Sequence, residues 1–463
     1  MVGETACGGL ETVVRLLLIP QVVTSELAAE SDVAGYREMI GYFDRFADNW
    51  YYLWTKRQHE GKGLPERNVT TMFEEVDFMT FYGQMASVTG RLFELFNRIG
   101  GMYPVDGVLT SRAGLVPSLI MGLSTEPSVP VPVVTMEPRV YAPGNVAHNQ
   151  VTDVDAAARA VGYALATVGV YWSEWELEAA VDAVSMWMSR AAEERVRERG
   201  VVVPHPVEVP DRLAVRDGSR KTLAFVGRLN PNKRWRDVLS AYAKVVMARG
   251  DTDVWVHSPT GLSHLDGDLI GVWHRATERL PERSDYLKLL DRVHVAAYAS
   301  RDEGMNVTVM EMLAHGVVMV LPNAPWVMKL FHPLEYPFTF KSIREMTAMV
   351  DMALDRYDDW IVQLEPVREM IRRRFSDQAA EAAWKTVWDR IQSEVSKVEP
   401  IRMFRSDLEQ VGGRLRFDTM LDVSGVGKHA RPEMRRVFSN YAAYRAVADL
   451  DLYNDPMPIL ELR

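Results

Sequence analysis

The chain has 463 residues, room for about two to four domains at roughly 100–200 residues each. Its content of 47% hydrophobic and 25% charged residues is that of a globular protein and excludes a disordered one. With 53 Lys+Arg against 63 Asp+Glu the formal charge is −10, which excludes a surface that coats nucleic acid or an anionic membrane as a whole and leaves only local basic patches. A single cysteine, Cys7, excludes an intramolecular disulfide and a cysteine-cluster metal site, and it fits a reducing cytoplasm.

The longest apolar candidate for a membrane span, Val13–Val23, is interrupted by Arg15, Pro20 and Gln21. Glu4 and Glu11 stand where a secretory signal carries basic residues, so the expectation is a cytoplasmic protein without a membrane span.

Along the first two hundred residues, short apolar runs alternate with longer amphipathic ones. Thr12–Ile19 (TVVRLLLI) reads as a buried strand, Val33–Ala47 as a helix, and Trp50–Trp54 and Asn68–Phe73 as weaker strands. Phe81–Ile99 reads as a long helix stopped by Gly100-Gly101; Gly107–Thr110, Val131–Met136 and Thr167–Tyr171 follow as strands. A helix over Glu174–Glu198 closes this half. Three prolines make Val201–Pro210 (VVVPHPVEVP) a stiff, extended connector.

The alternation then restarts. Lys221–Gly227 reads as a strand, Arg236–Ala248 as a helix, Asp253–His257 as a strand and Tyr286–Leu290 as a short helix. Arg292–Tyr298 follows as a strand, Val307–His315 as a helix ended by Gly316, Val317–Leu321 as a strand and Ser376–Ser396 as a long helix. Strands alternating with helices imply two α/β units with parallel sheets, and ligands bind such sheets at the carboxyl ends of their strands.

Two stretches carry chemistry. In Ser300–Gly316 (SRDEGMNVTVMEMLAHG), Glu303 lies in a strand-to-helix loop, and Glu311 adjoins the buried side of the helix that follows. A carboxylate there needs hydroxyls or amides to receive it. Between the two glutamates, the backbone N–H groups of Gly304 to Val307 open a helix N-terminus suited to an anion. Sugar hydroxyls together with a diphosphate satisfy all three features. In Phe225–Trp235 (FVGRLNPNKRW), Arg228 and Lys233 bracket an Asn-Pro-Asn turn directly after a strand and supply two cations for phosphate.

The strand–Gly-Arg-Leu–turn–Lys-Arg pattern, followed some seventy residues later by E-G-x6-E-M-L-x2-G, resembles the retaining GT-B glycosyltransferases of the glycogen-synthase-like superfamily (glycosyl transferases group 1). The match is specific over 221–322 and architectural over 1–216. The resemblance implies two Rossmann-like α/β domains facing across a cleft: an acceptor-side domain at 1–208 and a nucleotide-sugar-binding domain with a cross-over helix at 209–397. It implies that Arg228 and Lys233 hold the donor diphosphate, that Glu303 faces the donor sugar, and that Glu311 binds the ribose. Gly304, Met305, Asn306, Val307 and Thr308 then line the sugar and phosphates. It further implies metal-independent, retaining transfer from a nucleoside-diphosphate sugar, a UDP-sugar first among them, with no other cofactor.

Members of the superfamily often carry a histidine near the reacting carbon. Here Glu137 stands in the corresponding segment, VVTMEPR, and His148 lies in a loop eleven residues later; either can take the acceptor's proton. Structurally, Glu137 reads instead as a partner of Arg139 or a helix cap, and His148 as an exposed loop residue. Trp172 and Trp175 read as core residues or as stacking platforms; Gly8-Gly9 precedes the first strand, and His205 has no assigned role.

Residues 398–463 are extra to that plan. A helix over Met403–Val411, a basic turn, a helix over Arg431–Arg445 and a hairpin around Tyr453–Pro456 read as a small winged-helix-like extension, or as a structural or dimer-forming tail. In the first reading Lys428, Arg431, Arg435 and Arg436 contact DNA. The acceptor is then a hydroxylated or hydroxymethylated DNA base, as in the DNA-modifying glycosyltransferases of some viruses. A small molecule, lipid or polysaccharide acceptor is the alternative; a non-catalytic nucleotide- or DNA-binding body is the reading from another class.

Overall fold

The computed structural model describes residues 15–19, 49–52, 107–110, 113–116, 132–137, 140, 153–216, 219–229, 231–258, 275–277, 283–301 and 303–395. The expected helices Val33–Ala47 and Phe81–Ile99, the strand Asn68–Phe73, Gly8-Gly9, His148 and everything from Val398 onward lie outside the described residues.

The first sheet has six parallel strands: β1 (Arg15–Ile19), β2 (Asn49–Tyr52), β3 (Gly107–Thr110), β4 (Val133–Met136), β5 (Val168–Tyr171) and β6 (Gly200–Val202). Their order is β2-β1-β3-β4-β5-β6. Strands β3, β4 and β5 are buried along their whole length. That burial is why they read as unbroken runs (GVLT, VVTM, VGVY) and not as alternating ones. Helix α1 (Asp153–Leu165) precedes β5, and α2 (Glu174–Trp187) and α3 (Arg190–Arg199) follow it.

Two expectations change here. The helix expected over Glu174–Glu198 is two helices, because Met188 and Ser189 adopt extended backbone between α2 and α3. The buried positions Ala180, Val184, Ala192 and Val196 keep helical spacing across the break, so the sequence reads through it. The expected connector also begins as a strand. Gly200–Val202 pairs with Gly169–Tyr171, and the Val203 N–H donates to the Tyr171 carbonyl at 2.8 Å. Pro204 is the first residue of this stretch without an N–H, and pairing ends there.

The second sheet is also six-stranded and parallel: β7 (Lys221–Val226), β8 (Thr252–His257), β9 (Arg275–Thr277), β10 (Val295–Ala297), β11 (Val318–Pro322) and β12 (Thr339–Phe340). Around it lie α4 (Trp235–Ala248), α5 (Arg283–Leu290), α6 (Val307–Ala314), α7 (Pro325–Phe331), α8 (Ile343–Asp355), α9 (Tyr357–Gln363) and α10 (Glu365–Arg374). The order β12-β11-β10-β7-β8-β9 means that the chain builds outward from β7 to β9, then crosses back to β10 on the other flank of β7. That reversal opens a crevice at the carboxyl ends of β7 and β10, the switch point where open α/β sheets bind ligands.

The two strands at the crevice touch only briefly. They pair through Leu223 with Val295 and Ala224 with Ala296, and then part. The phenol of Tyr242, on α4, fills the gap: it accepts from the Ala297 N–H at 2.6 Å and donates to the Ala224 carbonyl at 2.8 Å. One strand-turn later the Tyr298 hydroxyl donates to the Val226 carbonyl. Burial pushes both phenols up, so they stay protonated and able to donate.

After the second sheet the chain returns to the first. Helix α11 (Asp377–Val395) packs against β5 and β6, and its fully buried Trp384 meets the edge of Trp172 with ring centroids 6.5 Å apart. His205 of the connector stacks on the same Trp172 at 3.9 Å, so this indole packs in the core and is no free platform. Among the described residues no helix is long and apolar enough to cross a membrane.

Replacing Tyr242 with Phe leaves the Ala224 carbonyl and the Ala297 N–H buried without their partner. The expected cost is about 1–3 kcal/mol, read as a lower urea midpoint by circular dichroism and as faster hydrogen exchange at the Ala297 amide.

Candidate active site

The loops leaving β7 and β10 meet at the switch point. After β7 the chain turns at Gly227, whose φ of 151° is open to glycine, and a Cβ there would press within 3.3 Å of the Tyr298 hydroxyl. Arg228 follows, exposed on this loop, and a short 3-10 turn, Pro231–Lys233, brings Lys233 back over the crevice. From the β10 side comes Glu303. The Lys233 Nζ lies 2.5 Å from the Glu303 Oε1, and both side chains are largely buried. The ammonium also stands 5.8 Å from the centroid of the Tyr298 ring, favourable for a cation over an aromatic face.

Directly beyond Glu303, α6 begins. Asn306 caps it, its Oδ1 accepting from the Val309 N–H at 3.2 Å. The first turn of α6, with the positive end of its dipole, thus opens four residues after Glu303. Gly304 to Asn306 are the loop between Glu303 and α6, and Val307 and Thr308 open the helix.

Glu311 lies one turn further along α6 and is only 5% exposed. A carboxylate at that depth needs a partner, and Arg283 at the start of α5 supplies it, its guanidinium 2.7 Å from Oε1. Tyr286 of the same helix stands beside this pair. Burial pushes its phenol well up, and the Glu311 charge pushes it further. The Tyr286 ring also neighbours His257 at the end of β8. Arg283, Tyr286 and His257 have no motif in the sequence; Arg283 and Tyr286 meet Glu311, and His257 meets Tyr286, only in the fold.

In the first domain Glu137 has a different setting. It is 3% exposed and accepts from the Ala113 N–H at 3.0 Å, from the Arg159 guanidinium and from the Tyr163 hydroxyl. Both carboxylate oxygens are engaged. Its ion-pair partner is Arg159 on α1. His148, Lys428, Arg431, Arg435 and Arg436 lie outside the described residues.

Residues 220–330 match the family described as glycosyl transferases group 1, and this span holds Arg228, Lys233, Glu303 and Glu311. This is a glycosyltransferase domain. No curated protein matches the chain. Among solved structures, sucrose-phosphate synthase from Thermosynechococcus elongatus is similar with a TM-score of 0.60 and 12% identity, over 82% of this chain and 99% of that one. HepE of Anabaena, solved with UDP-glucose, is similar at 0.54 and 13%, over 81% and 99%. A UDP-forming α,α-trehalose-phosphate synthase from Burkholderia vietnamiensis is similar at 0.54 and 13%, over 84% and 100%. At these identities the likeness establishes the GT-B fold across both sheets.

The geometry gives Glu137 the work of an internal anchor between α1 and the loop after β4. Cutting it back to Ala removes the acceptor that Arg159, Tyr163 and the Ala113 N–H share in the interior, a loss of about 1–3 kcal/mol. We expect Glu137→Ala to lower the unfolding midpoint strongly. A Glu137→Ala protein of wild-type stability that has lost sugar transfer would return this carboxylate to the reaction.

Proposed function

We propose that this glycosyltransferase moves a sugar from a UDP-sugar to a hydroxyl acceptor, with retention at the anomeric carbon and without a metal. The observation that carries the donor half is the meeting of Lys233 and Glu303 across the switch point, 2.5 Å apart. The cation and the carboxylate neutralise each other. A donor diphosphate takes over Lys233, assisted by Arg228 and by the N-terminus of α6, and Glu303 is released toward the sugar hydroxyls. Ribose hydroxyls compete with Arg283 for Glu311 in the same way. UDP is the nucleotide named for two of the similar structures, the UDP-glucose complex of HepE and the UDP-forming trehalose-phosphate synthase, and this supports a uridine donor.

In the transfer step the bond from the anomeric carbon to the diphosphate oxygen breaks, a bond to the acceptor oxygen forms, and the acceptor's hydroxyl proton passes to the departing diphosphate. The negative charge left on the diphosphate is met by Lys233, Arg228 and the helix end, groups already in place before reaction. Fixed cations of this kind make metal-free departure feasible; retention rests on the family resemblance. Lys233→Ala and Glu303→Ala are each expected to lower turnover of UDP-glucose or another UDP-sugar by about 10²–10³-fold, measured on protein shown to be folded by circular dichroism, since loss of either member of this largely buried pair also lowers the melting temperature. Wild-type rates in both proteins would refute the assignment.

For the acceptor we propose a hydroxylated or hydroxymethylated DNA base, a reading that rests on the basic residues Lys428, Arg431, Arg435 and Arg436 in the sequence. The full chain and a chain ending at Glu399 are compared on DNA carrying such bases, with nucleoside mass spectrometry as the readout. The full chain is expected to add sugar and the shortened one to lose most of that activity. No modified nucleoside with a donor the enzyme demonstrably consumes would pass the acceptor role to a glycan or small molecule.

A further inference from the structure

Helix α2 of the first domain starts with Ser173-Glu174-Trp175-Glu176, a sequence of the S-x-x-E capping-box type. The Ser173 oxygen accepts from the Glu176 N–H at 3.3 Å, as such a box requires. The returning carboxylate is displaced by one residue: Glu176 Oε2 accepts from the Trp172 N–H at 2.9 Å. What remains of both side chains is turned on one residue of the other domain. The Ser173 hydroxyl donates to the Gly304 carbonyl at 3.1 Å. The Glu176 carboxylate lies so close over Gly304 that a Cβ there would sit 2.7 Å from its Cδ and overlap its Oε1. Glu176 is 2% exposed, so this contact is a packed one.

Gly304 is the residue directly after Glu303, at the entrance to the α6 turn. We infer that Ser173 and Glu176 are positioning residues for donor-sugar binding. The cap of α2 is the seat on which the Glu303–Gly304 loop is set when the two domains close, and glycine is required at 304 because the first domain occupies the space of a side chain. The inference rests on the donor-site reading above for its consequence in catalysis, and on geometry alone for the contact. Neither residue touches the sugar; they fix the loop that does, and a loop displaced by about 1 Å loses roughly a hundredfold in rate.

The full-length chain is measured as wild type, Gly304→Ala, Gly304→Ala with Glu176→Ala, and Ser173→Asp. The Asp variant keeps a good helix cap but brings no proton for the Gly304 carbonyl. Small-angle scattering without ligand and with UDP-glucose reports domain closure; initial rates of UDP-glucose consumption give kcat and KM; calorimetry gives melting temperatures. Gly304→Ala is expected to enlarge the particle and to cut kcat/KM by about a hundredfold at near wild-type melting temperature. Adding Glu176→Ala makes room for the new methyl and should recover compactness and much of the rate. Ser173→Asp should lose rate while the helix stays stable. A Gly304→Ala protein with wild-type dimensions and rates, or a double variant no more compact and no more active than the single one, overturns the inference. If the wild-type protein consumes no UDP-glucose and binds no UDP, the donor reading has failed, and the scattering series still decides whether the seat exists.

Discussion

Strands β7 and β10 stay together for two residue pairs and then separate, and the site depends on that parting. Backbone groups on diverging strands lose their ladder partners in the middle of a core, where an unpaired amide or carbonyl costs as much as a lost hydrogen bond. Tyr242 resolves this with one hydroxyl that serves both strands, and Tyr298 repeats the solution at Val226. With the strands held apart at a fixed width, the loops that leave them are aimed at each other. The Tyr298 ring then supports the Lys233 ammonium from below. The crevice is therefore part of the hydrogen-bonded sheet.

The second constraint is electrostatic. Both motif glutamates are removed from water, and each is met by a cation from a different element: Glu303 by Lys233, Glu311 by Arg283. Such pairs offset the cost of burial without making the groups inert, because a ligand that brings phosphate and hydroxyls offers each member a replacement. The Glu137–Arg159 pair in the first sheet shows the contrast. It is closed by Tyr163 and the Ala113 amide, and the Glu137 side chain is buried.

What could be read from the sequence divides along the same line. Parallel strands buried over most of their length announce themselves as apolar runs, so Lys221–Val226, Thr252–His257 and Val318–Pro322 stand close to where the pattern puts them. Lys233, Glu303 and Glu311 were readable because each sits at a fixed offset from a strand end or a helix start. Glu137 was visible as a carboxylate in the right segment, but its partners lie 22 and 26 residues away on α1, at a spacing of one helical turn that carries no motif. Arg283 was hidden for the same reason. The Ser173–Glu176 box was present as a pattern, and only the distance to Gly304 reveals its second use. The split between α2 and α3 left no trace, since the apolar spacing continues across Met188 and Ser189.

The return of α11 to the first sheet has a bearing on synthesis. A chain emerging from the ribosome folds its leading domain first, yet the layer that covers Trp172 and the outer edge at β5 and β6 is encoded beyond the entire second sheet. Until Trp384 arrives, Trp172 of the nascent first domain lacks that edge contact. The late helix thus acts as a clasp: the leading domain acquires this part of its core only after the second sheet has been made.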